Sequence, residues 1–417
     1  MNMARITDLP NELLDPILHN LLDTSPESLA ALASTCVGLN APARAVLCQH
    51  VFLRWRVSKQ SPANKFMAHN SGNQFVRSLR LHPWAGLLNA FKVRMPIAYD
   101  SVDTVCACLR TLTRLTTFSI NLVGIPYESI HFPPSVIVKI LESLPDSVVN
   151  LEIDTVGSDL ELSSRRHSER PDIHVCDYLS KLIPRLEILR LRIGSMCPAL
   201  FSSLEPSSTH QPVSRLRIGQ IKLELLSDIP PHCVLDCRGS ALLSDNHKYP
   251  TKILAPNTIF DKLLALQAAG AFPYAETFFL LSWKHRQYIR VRDVVTKTLT
   301  HYPVVERKYS TASEQLNLVF DHESKMYFGT PDEVEQAITY SVGWEEFGSN
   351  GTRLPITRQF CSPEGATIPK APELATKYLM DKSEFLSTRK AHEYIRTIFE
   401  EFLEGECAVT RPYDEVQ

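Results

Sequence analysis

Residues 186–191 read LEILRL, with leucine at the first, fourth and sixth positions of the hexapeptide. Alternate residues of a β-strand point to opposite faces, so Leu189 and Leu191 would share one face and Arg190 would point to the other. We expect a strand in this segment and in every related one. The same LxxLxL pattern occurs four more times between Phe75 and Gly239, as Val76/Leu79/Leu81, Leu115/Phe118/Ile120, Val148/Leu151/Ile153 and Val213/Leu216/Ile218.

Helix-compatible segments precede three of these strands, at Val102–Leu112, Ser135–Leu144 and Asp172–Ile183. Helices that alternate with strands over short connections are typical of a parallel sheet lined by helices. When such units repeat along a chain, they stack into a curved solenoid. The strands lie about 27 to 39 residues apart, which is a longer and less even spacing than that of regular leucine-rich repeats.

Residues 75–240 nevertheless resemble divergent leucine-rich repeats, and this resemblance implies an irregular α/β solenoid. An ordinary α/β domain with coincidental LxL strands is the alternative, and only the curvature of the sheet would separate the two. In leucine-rich repeats, the residues between the apolar strand positions face the concave recognition surface. Here that surface would present Arg80, Ser119, Glu152, Arg190 and Arg217, with Arg192 and Arg215 beside the last two.

Four arginines of this surface, Arg190, Arg192, Arg215 and Arg217, would then cluster on adjacent strands. Guanidinium groups bind carboxylates and phosphates through paired hydrogen bonds. The cluster is therefore a candidate binding surface for an acidic or phosphorylated partner protein. A solvated polar face that binds nothing is the alternative, because exposed charge is common on proteins.

The N-terminal sixty residues have apolar side chains at helical spacing, which indicates three short helices. The first would be capped by Asp8, the second by the capping box Thr24-Ser25-Pro26-Glu27, and the third would open at Asn40. Three helices of this size cannot bury all their apolar side chains among themselves. We expect a partner or a following domain to cover the remainder.

The string LPNELL at residues 9–14, followed by Ile17, Leu18, Leu21, Leu29, Leu32 and Cys36, resembles the F-box. The resemblance covers residues 6 to 55, and the chain has Leu39 where the family usually has an aromatic residue. It implies that the helices dock onto the Skp-type adaptor of a cullin ubiquitin ligase. A generic amphipathic helical hairpin is the alternative. The adaptor-binding residues implied are Leu9, Pro10, Leu13, Leu14, Ile17, Leu18, Leu29 and Leu32.

The predicted fold class is α+β or α/β, in four regions. These are an F-box helical module at residues 1–60, a linker at 61–74, the irregular leucine-rich-repeat-like region at 75–240 and a mixed α/β region at 241–417 that continues or caps the array. In the last region the patterns predict a helix from Asn257 to Ala269 that stops at Gly270, followed by a strand at Thr277–Leu281. They also predict a hairpin of Leu316–Phe320 with Met326–Phe328. Two further helices are predicted at Pro331–Tyr340 and Lys390–Glu404, and the second of these would be a helical C-terminal cap.

Composition and charge exclude several classes of function. The 417 residues carry 44 basic and 46 acidic side chains, so there is no overall electrostatic argument for binding nucleic acid or an anionic membrane surface. The ten cysteines lack CxxC spacing, which favours reduced thiols and an intracellular protein of the cytoplasm, the nucleus or both. No apolar run approaches the roughly 20 residues of a membrane-spanning helix.

No HExxH, GxSxG, Walker-type or GxGxxG string occurs in the sequence, so we expect no catalytic residue, metal site or cofactor. The predicted function is that of a non-catalytic F-box protein. It would bind a Skp-type adaptor and through it a cullin, and would hold an unidentified protein target for ubiquitin transfer. The alternatives are an interaction scaffold without a ubiquitination role and an enzyme whose thiol or histidine groups assemble from distant segments.

Overall fold

The computed structural model describes residues 9–56, 62–69, 74–84, 95–96, 99–121, 130–155, 157, 159, 174–194, 196–206, 212–223, 255–284, 288–307, 316–320, 326–329, 359–360 and 409–412. The chain divides into two compact units, Met1–Gly194 and Ser195–Gln417. Both contain helices and strands, so the fold is mixed α/β. Across the described residues, no helix combines the length and apolarity needed to cross a bilayer.

The first unit opens with three helices, α1 (Asn11–Thr24), α2 (Pro26–Thr35) and α3 (Val37–Leu47). The capping box predicted for α2 is not at the start of that helix, because Thr24 is the last residue of α1 and Ser25 takes the N-cap position. Ser25 precedes the helix, but its hydroxyl pairs with the hydroxyl of Ser28 at 2.7 Å instead of accepting a backbone N–H. α3 begins before the predicted start at Asn40, whose side-chain amide donates to the carbonyl of Ala33 at 2.5 Å and so ties α3 to α2.

The strands of the first unit are β1 (His50–Arg56), β2 (Ser78–Trp84), β3 (Met95–Pro96), β4 (Thr117–Asn121), β5 (Ile130–His131), β6 (Asn150–Asp154) and β7 (Ile188–Ile193). Five of them form a parallel sheet in the order β1-β2-β4-β6-β7, and β3 pairs with β5 in a separate parallel ribbon. The spatial order of the five strands follows the chain. This is the arrangement expected when each strand is followed by a crossover to the next.

The apolar positions of the LxxLxL segments lie opposite one another across this sheet. The strand register aligns Leu79, Phe118, Leu151 and Leu189 in one row and Leu81, Ile120, Ile153 and Leu191 in the next. All eight side chains are buried. The strands predicted from the first four copies of the pattern are therefore confirmed, and their apolar rows form the core face of the sheet.

Four helices accompany these strands: α4 (Pro62–His69), α5 (Tyr99–Leu109), α6 (Pro134–Leu141) and α7 (Val175–Leu182), the last followed by a 3-10 turn at Ile183–Arg185. Each helix contacts the next, and α4 contacts β1. The predicted helices of the repeat-like region are confirmed as α5, α6 and α7. α4 lies within residues 61–74, where the sequence indicated a linker, and β1 lies within the range assigned to the F-box module.

Trp55 anchors β1 to the elements that surround the sheet, and not only to the N-terminal helices. Its ring is completely buried and meets the ring of Phe132 edge to face, with 6.4 Å between centroids. The indole N–H donates to the hydroxyl of Ser101 at 2.6 Å, which satisfies the polar end of the ring. The strand is thus tied to α5 and to the segment before α6.

The second unit contains a 3-10 helix at Pro198–Leu204, β8 (Ile218–Leu223), α8 (Ala255–Ala268), β9 (Thr277–Lys284), β10 (Tyr288–Asp293), β11 (Thr298–Arg307), β12 (Leu316–Phe320), β13 (Met326–Gly329), β14 (Gln359–Phe360) and β15 (Val409–Pro412). β8 and β9 are parallel. The strands from β9 to β14 pair antiparallel in chain order, and β15 pairs antiparallel with β11.

Phe201, Phe272 and Phe278 form the centre of the second unit, with edge-to-face ring centroids 5.4 to 6.3 Å apart. The predicted helix is confirmed as α8, and Gly270 follows it with φ of +78°, a conformation typical of a residue that ends a helix. The strand β9 and the hairpin β12–β13 are also confirmed. The helices predicted at Pro331–Tyr340 and Lys390–Glu404 lie outside the described residues.

The fifth copy of the LxxLxL pattern was placed wrongly. A strand was expected over the Val213/Leu216/Ile218 segment, but β8 begins only at Ile218. Leu216 is buried even though it precedes the strand, and Val213 is exposed. An apolar residue at the right spacing is therefore not sufficient to place a strand, because an irregular segment can bury it equally well.

Candidate functional site

The N-terminal helices enclose a small core of their own. Leu14 and Leu18 of α1 pack with Leu29 of α2 and with Leu39 and Val46 of α3, and the small residues Ala33 and Ala43 complete the cluster. Leu21, Leu32, Cys36 and Leu47 lie partly buried against it. Burial of these side chains is what stabilises three helices that are each too short to be stable alone.

One face of α1 does not take part in this core. Leu13 is 56% exposed and Ile17 is 38% exposed, and the two residues are one helical turn apart. Pro10 is exposed just before the helix. The carbonyl of Pro10 accepts the N–H groups of Leu13 and Leu14 at 3.0 Å, which anchors the first turn and holds Leu13 in place.

The structure therefore separates the eight residues that the resemblance implied for adaptor binding. Leu14, Leu18 and Leu29 are core residues of the helical module, Leu32 is partly buried against that core, and Leu9 is half-buried. Pro10, Leu13 and Ile17 are accessible. Only the accessible residues can contact a partner without unfolding of the module.

Sequence reasoning missed Val37, which is 94% exposed at the first position of α3. Val37 directly follows Cys36, so it does not belong to the apolar stripe of α2, and the predicted start of α3 lies after it. An apolar residue at a helix start with no stripe of its own is the signal that could have found it. Leu39, which stands where the F-box usually has an aromatic residue, is completely buried. This difference from the F-box pattern therefore affects the core of the helical module and not its exposed face.

The second candidate surface is the polar face of the parallel sheet. The register places Arg80, Ser119, Glu152 and Arg190 in one row across β2, β4, β6 and β7, as the alternation of the strands predicted. Glu152 is completely buried there. Its Oε1 accepts from Nη1 of Arg190 at 2.7 Å, and its Oε2 accepts from the hydroxyl of Ser119.

The next row repeats this pairing. Asp154 accepts two hydrogen bonds from Arg192, from Nε at 2.6 Å and from Nη2 at 2.7 Å, and both side chains are buried. Burial raises the pKa of Glu152, because the ionised carboxylate loses its hydration, while Arg190 and the Ser119 hydroxyl act in the opposite direction. Neither arginine is thus a free cation on a solvated face.

The other two predicted arginines belong to the second unit, in the segment before β8. Arg217 donates to Oε1 of Glu276 from Nε at 2.8 Å and from Nη2 at 2.6 Å, and this pair is exposed. Arg215 is also exposed. Three of the four arginines predicted to bind a partner therefore already pair with a carboxylate of the chain. The acids could have been found from sequence, since Glu152 and Asp154 occupy the same motif positions as Arg190 and Arg192.

Comparison of the chain with models of protein families, with curated proteins and with solved structures finds no match.

Proposed function

We propose that the chain is the substrate-recognition subunit of a cullin-type ubiquitin ligase. In this proposal the N-terminal helices dock a Skp-type adaptor, and the repeat-like region holds a target protein. The observation that carries it is the exposure of Leu13 and Ile17 on a helix whose opposite side is buried in a core. It is combined with the resemblance of this segment to the F-box.

An exposed leucine and isoleucine one turn apart fit a helix-packing interface. Apolar side chains that stay in water gain free energy when a partner covers them, by about 25 cal/mol per Å² of apolar surface. Pro10 extends the same apolar surface before the helix. The core beneath holds α1 rigid, so little conformational entropy would be lost when a partner binds.

No residue of the chain needs to perform chemistry in this function. A receptor that holds its target beside a charged ubiquitin-conjugating enzyme raises the effective concentration of the target's amino groups.

The test is binding of the full chain to a purified Skp-type adaptor by titration calorimetry. We expect micromolar or tighter binding that the double variant Leu13→Ala/Ile17→Ala abolishes. The matched control is Asp15→Ala/His19→Ala, a pair at the same spacing on the same helix, whose polar side chains lie 3.8 Å apart. Loss of binding in both variants would point to a fault of the helix and not of the apolar face.

Absence of binding by the intact, folded chain would overturn the proposal. A chain that binds the adaptor but never assembles with a cullin would instead support an interaction scaffold. Leu13 and Ile17 contribute little to the core, so we expect the variants to fold. Circular dichroism of every variant checks this and distinguishes loss of binding from misfolding.

A further inference from the structure

The β9–β10 hairpin of the second unit holds two arginines on one face. Arg290 and Arg292 are two residues apart on β10, so their side chains leave the strand on the same side. The register pairs Arg290 with Ser282 of β9. Nη1 of Arg292 donates to the hydroxyl of Ser282 at 2.9 Å, and both of these side chains are buried.

Arg290 differs from Arg190, Arg192 and Arg217, each of which pairs with a carboxylate. In the described part of the chain, its guanidinium has no carboxylate partner, and its Nε is buried without a hydrogen bond. Burial lowers the pKa of this guanidinium from its usual value. A charged group that loses part of its hydration without a partner costs free energy, so an anion that supplies acceptors would stabilise it. The side chain is still partly accessible to solvent.

Ser282 supplies a second donor beside it. Arg290 and Ser282 are directly opposed in the antiparallel pair, and the Cβ atoms of such residues lie about 5 Å apart. A serine hydroxyl has one proton and two lone pairs. Because Ser282 accepts from Arg292, its own proton remains available for an acceptor.

We infer that Arg290 and Ser282 form a phosphate-binding site on the β9–β10 hairpin. The guanidinium fork takes two oxygens of the phosphate group, and the Ser282 hydroxyl donates to the third. A phosphate monoester has three terminal oxygens and can satisfy all these donors at once, whereas a carboxylate has only two. Arg292 orients Ser282 and adds positive charge beside the site.

This site goes beyond the proposed adaptor docking and does not depend on it. It lies in the second unit, whereas the adaptor-binding face belongs to α1 in the first. The variant Leu13→Ala/Ile17→Ala is therefore expected to bind phosphate like the unchanged protein. Failure of one proposal leaves the other standing.

The test is calorimetric titration of the full chain with inorganic phosphate in a phosphate-free buffer at constant ionic strength. We expect saturable binding at one site that Arg290→Gln weakens at least about tenfold, since charge-assisted hydrogen bonds are lost. Arg290→Lys keeps the charge without the fork and should fall between the two. The matched control is Arg215→Gln, an exposed arginine of the same unit, which should bind phosphate normally.

Two further arms identify the source and the class of the anion. Tighter binding of phosphoserine than of inorganic phosphate would assign the site to phosphorylated side chains, and the reverse order would assign it to free phosphate compounds. Acetate that binds as tightly as phosphate would overturn the assignment to phosphate. Non-saturable heats, or equal binding by Arg290→Gln, would overturn the site itself.

Thermal unfolding without phosphate separates a binding role from a structural one. Arg290 pairs with no carboxylate of the described residues, so Arg290→Gln should unfold at the same temperature as the unchanged chain or higher. A clear decrease would show that Arg290 supports the fold through a partner of its own, and would contradict the inference.

Discussion

Glu152 of β6 and Arg190 of β7 face each other across two parallel strands, with 2.7 Å between Oε1 and Nη1. The second carboxylate oxygen accepts from Ser119 of β4, so one buried acid links three strands. A slip of one residue between β6 and β7 would turn Arg190 to the opposite face and remove its hydrogen bond to Glu152. We infer that this row helps to select the register of the sheet.

Removal of one partner should cost more than removal of both. Arg190→Met leaves the buried carboxylate of Glu152 without the cation that contacts it, and we expect a loss of about 3–5 kcal/mol in the free energy of unfolding at neutral pH. The double variant Glu152→Gln/Arg190→Met should recover much of that loss. Urea unfolding of the four proteins of this cycle measures the coupling. Strictly additive losses would contradict the pairing.

The stability of the first unit should depend on pH through Glu152. Burial raises the pKa of this carboxyl above its usual 4.5, so the folded chain keeps a proton that the unfolded chain has lost. Stability from this group is then complete below 4.5 and decreases as the pH rises through the raised value. Urea unfolding from about pH 4 to about pH 8 should show this decrease in the unchanged chain and not in Glu152→Gln. A difference of opposite sign would mean that Arg190 outweighs burial.

Neighbouring residues of α1 should respond differently to truncation. Leu18 is buried in the core of the helical module, and we expect Leu18→Ala to lower the free energy of unfolding by about 2–5 kcal/mol. Ile17 lies on the exposed face, so Ile17→Ala should cost less than about 1 kcal/mol. Thermal unfolding of both variants checks the assignment. Equal losses would mean that the boundary between core and surface is misplaced.

Gly219 should tolerate no side chain. A Cβ at this position would lie 2.5 Å from a ring carbon of Phe278, and that ring is held by Phe201 and Phe272. We expect Gly219→Ala to destabilise the second unit by about 1–3 kcal/mol, and Phe278→Leu in that background to restore part of the loss.

Gly270 is the comparison for this effect. Its Cβ position is open, but its φ of +78° disfavours any side chain, so Gly270→Ala should cost about 1 kcal/mol without rescue by Phe278→Leu. Denaturation by urea, followed by circular dichroism, measures both variants. Rescue of both glycine variants by the same leucine would argue against a local clash.

The thiol of Cys108 should resist alkylation in the folded chain. Burial raises its pKa to about 11, and the thiolate is the reactive species. At about pH 8, iodoacetamide should leave Cys108 unmodified in the native protein and modify it in urea. Cys48 is only half-buried and should react faster. Mass spectrometry of the peptides reads both sites in one sample, and rapid native labelling of Cys108 would contradict its burial.

Local periodicity was sufficient for most elements. The spacing of Leu189 and Leu191, repeated at Leu151 and Ile153, predicted strands whose apolar rows the register aligns. A strand pattern of period two and a helix pattern of period 3.6 depend only on near neighbours in the chain, so sequence can reveal them. The failures at Asn40 and at Ile218 concern element boundaries, where a cap or a turn competes with the pattern.

Pairing between residues far apart in the chain could not be predicted from local periodicity. The four arginines were predicted to cluster on adjacent strands, but spacing along the chain does not show which acid contacts which arginine. Glu152 and Asp154 neutralise Arg190 and Arg192 only when β6 and β7 are aligned. The absence of any such partner for Arg290, within the described residues, is likewise visible only when the neighbouring strands are in place.

By itself, the sequence determined that this chain has a leucine-rich helical start, a set of strands that share one apolar face, and a near-balanced charge. Only the tertiary structure decided which leucines of α1 are core and which face solvent, and which charged side chains pair with one another inside the sheet. The physical reason is that period and composition are properties of short segments. Exposure and ion pairing depend instead on the packing of α2 and α3 against α1, and on the register that brings Arg190 to Glu152.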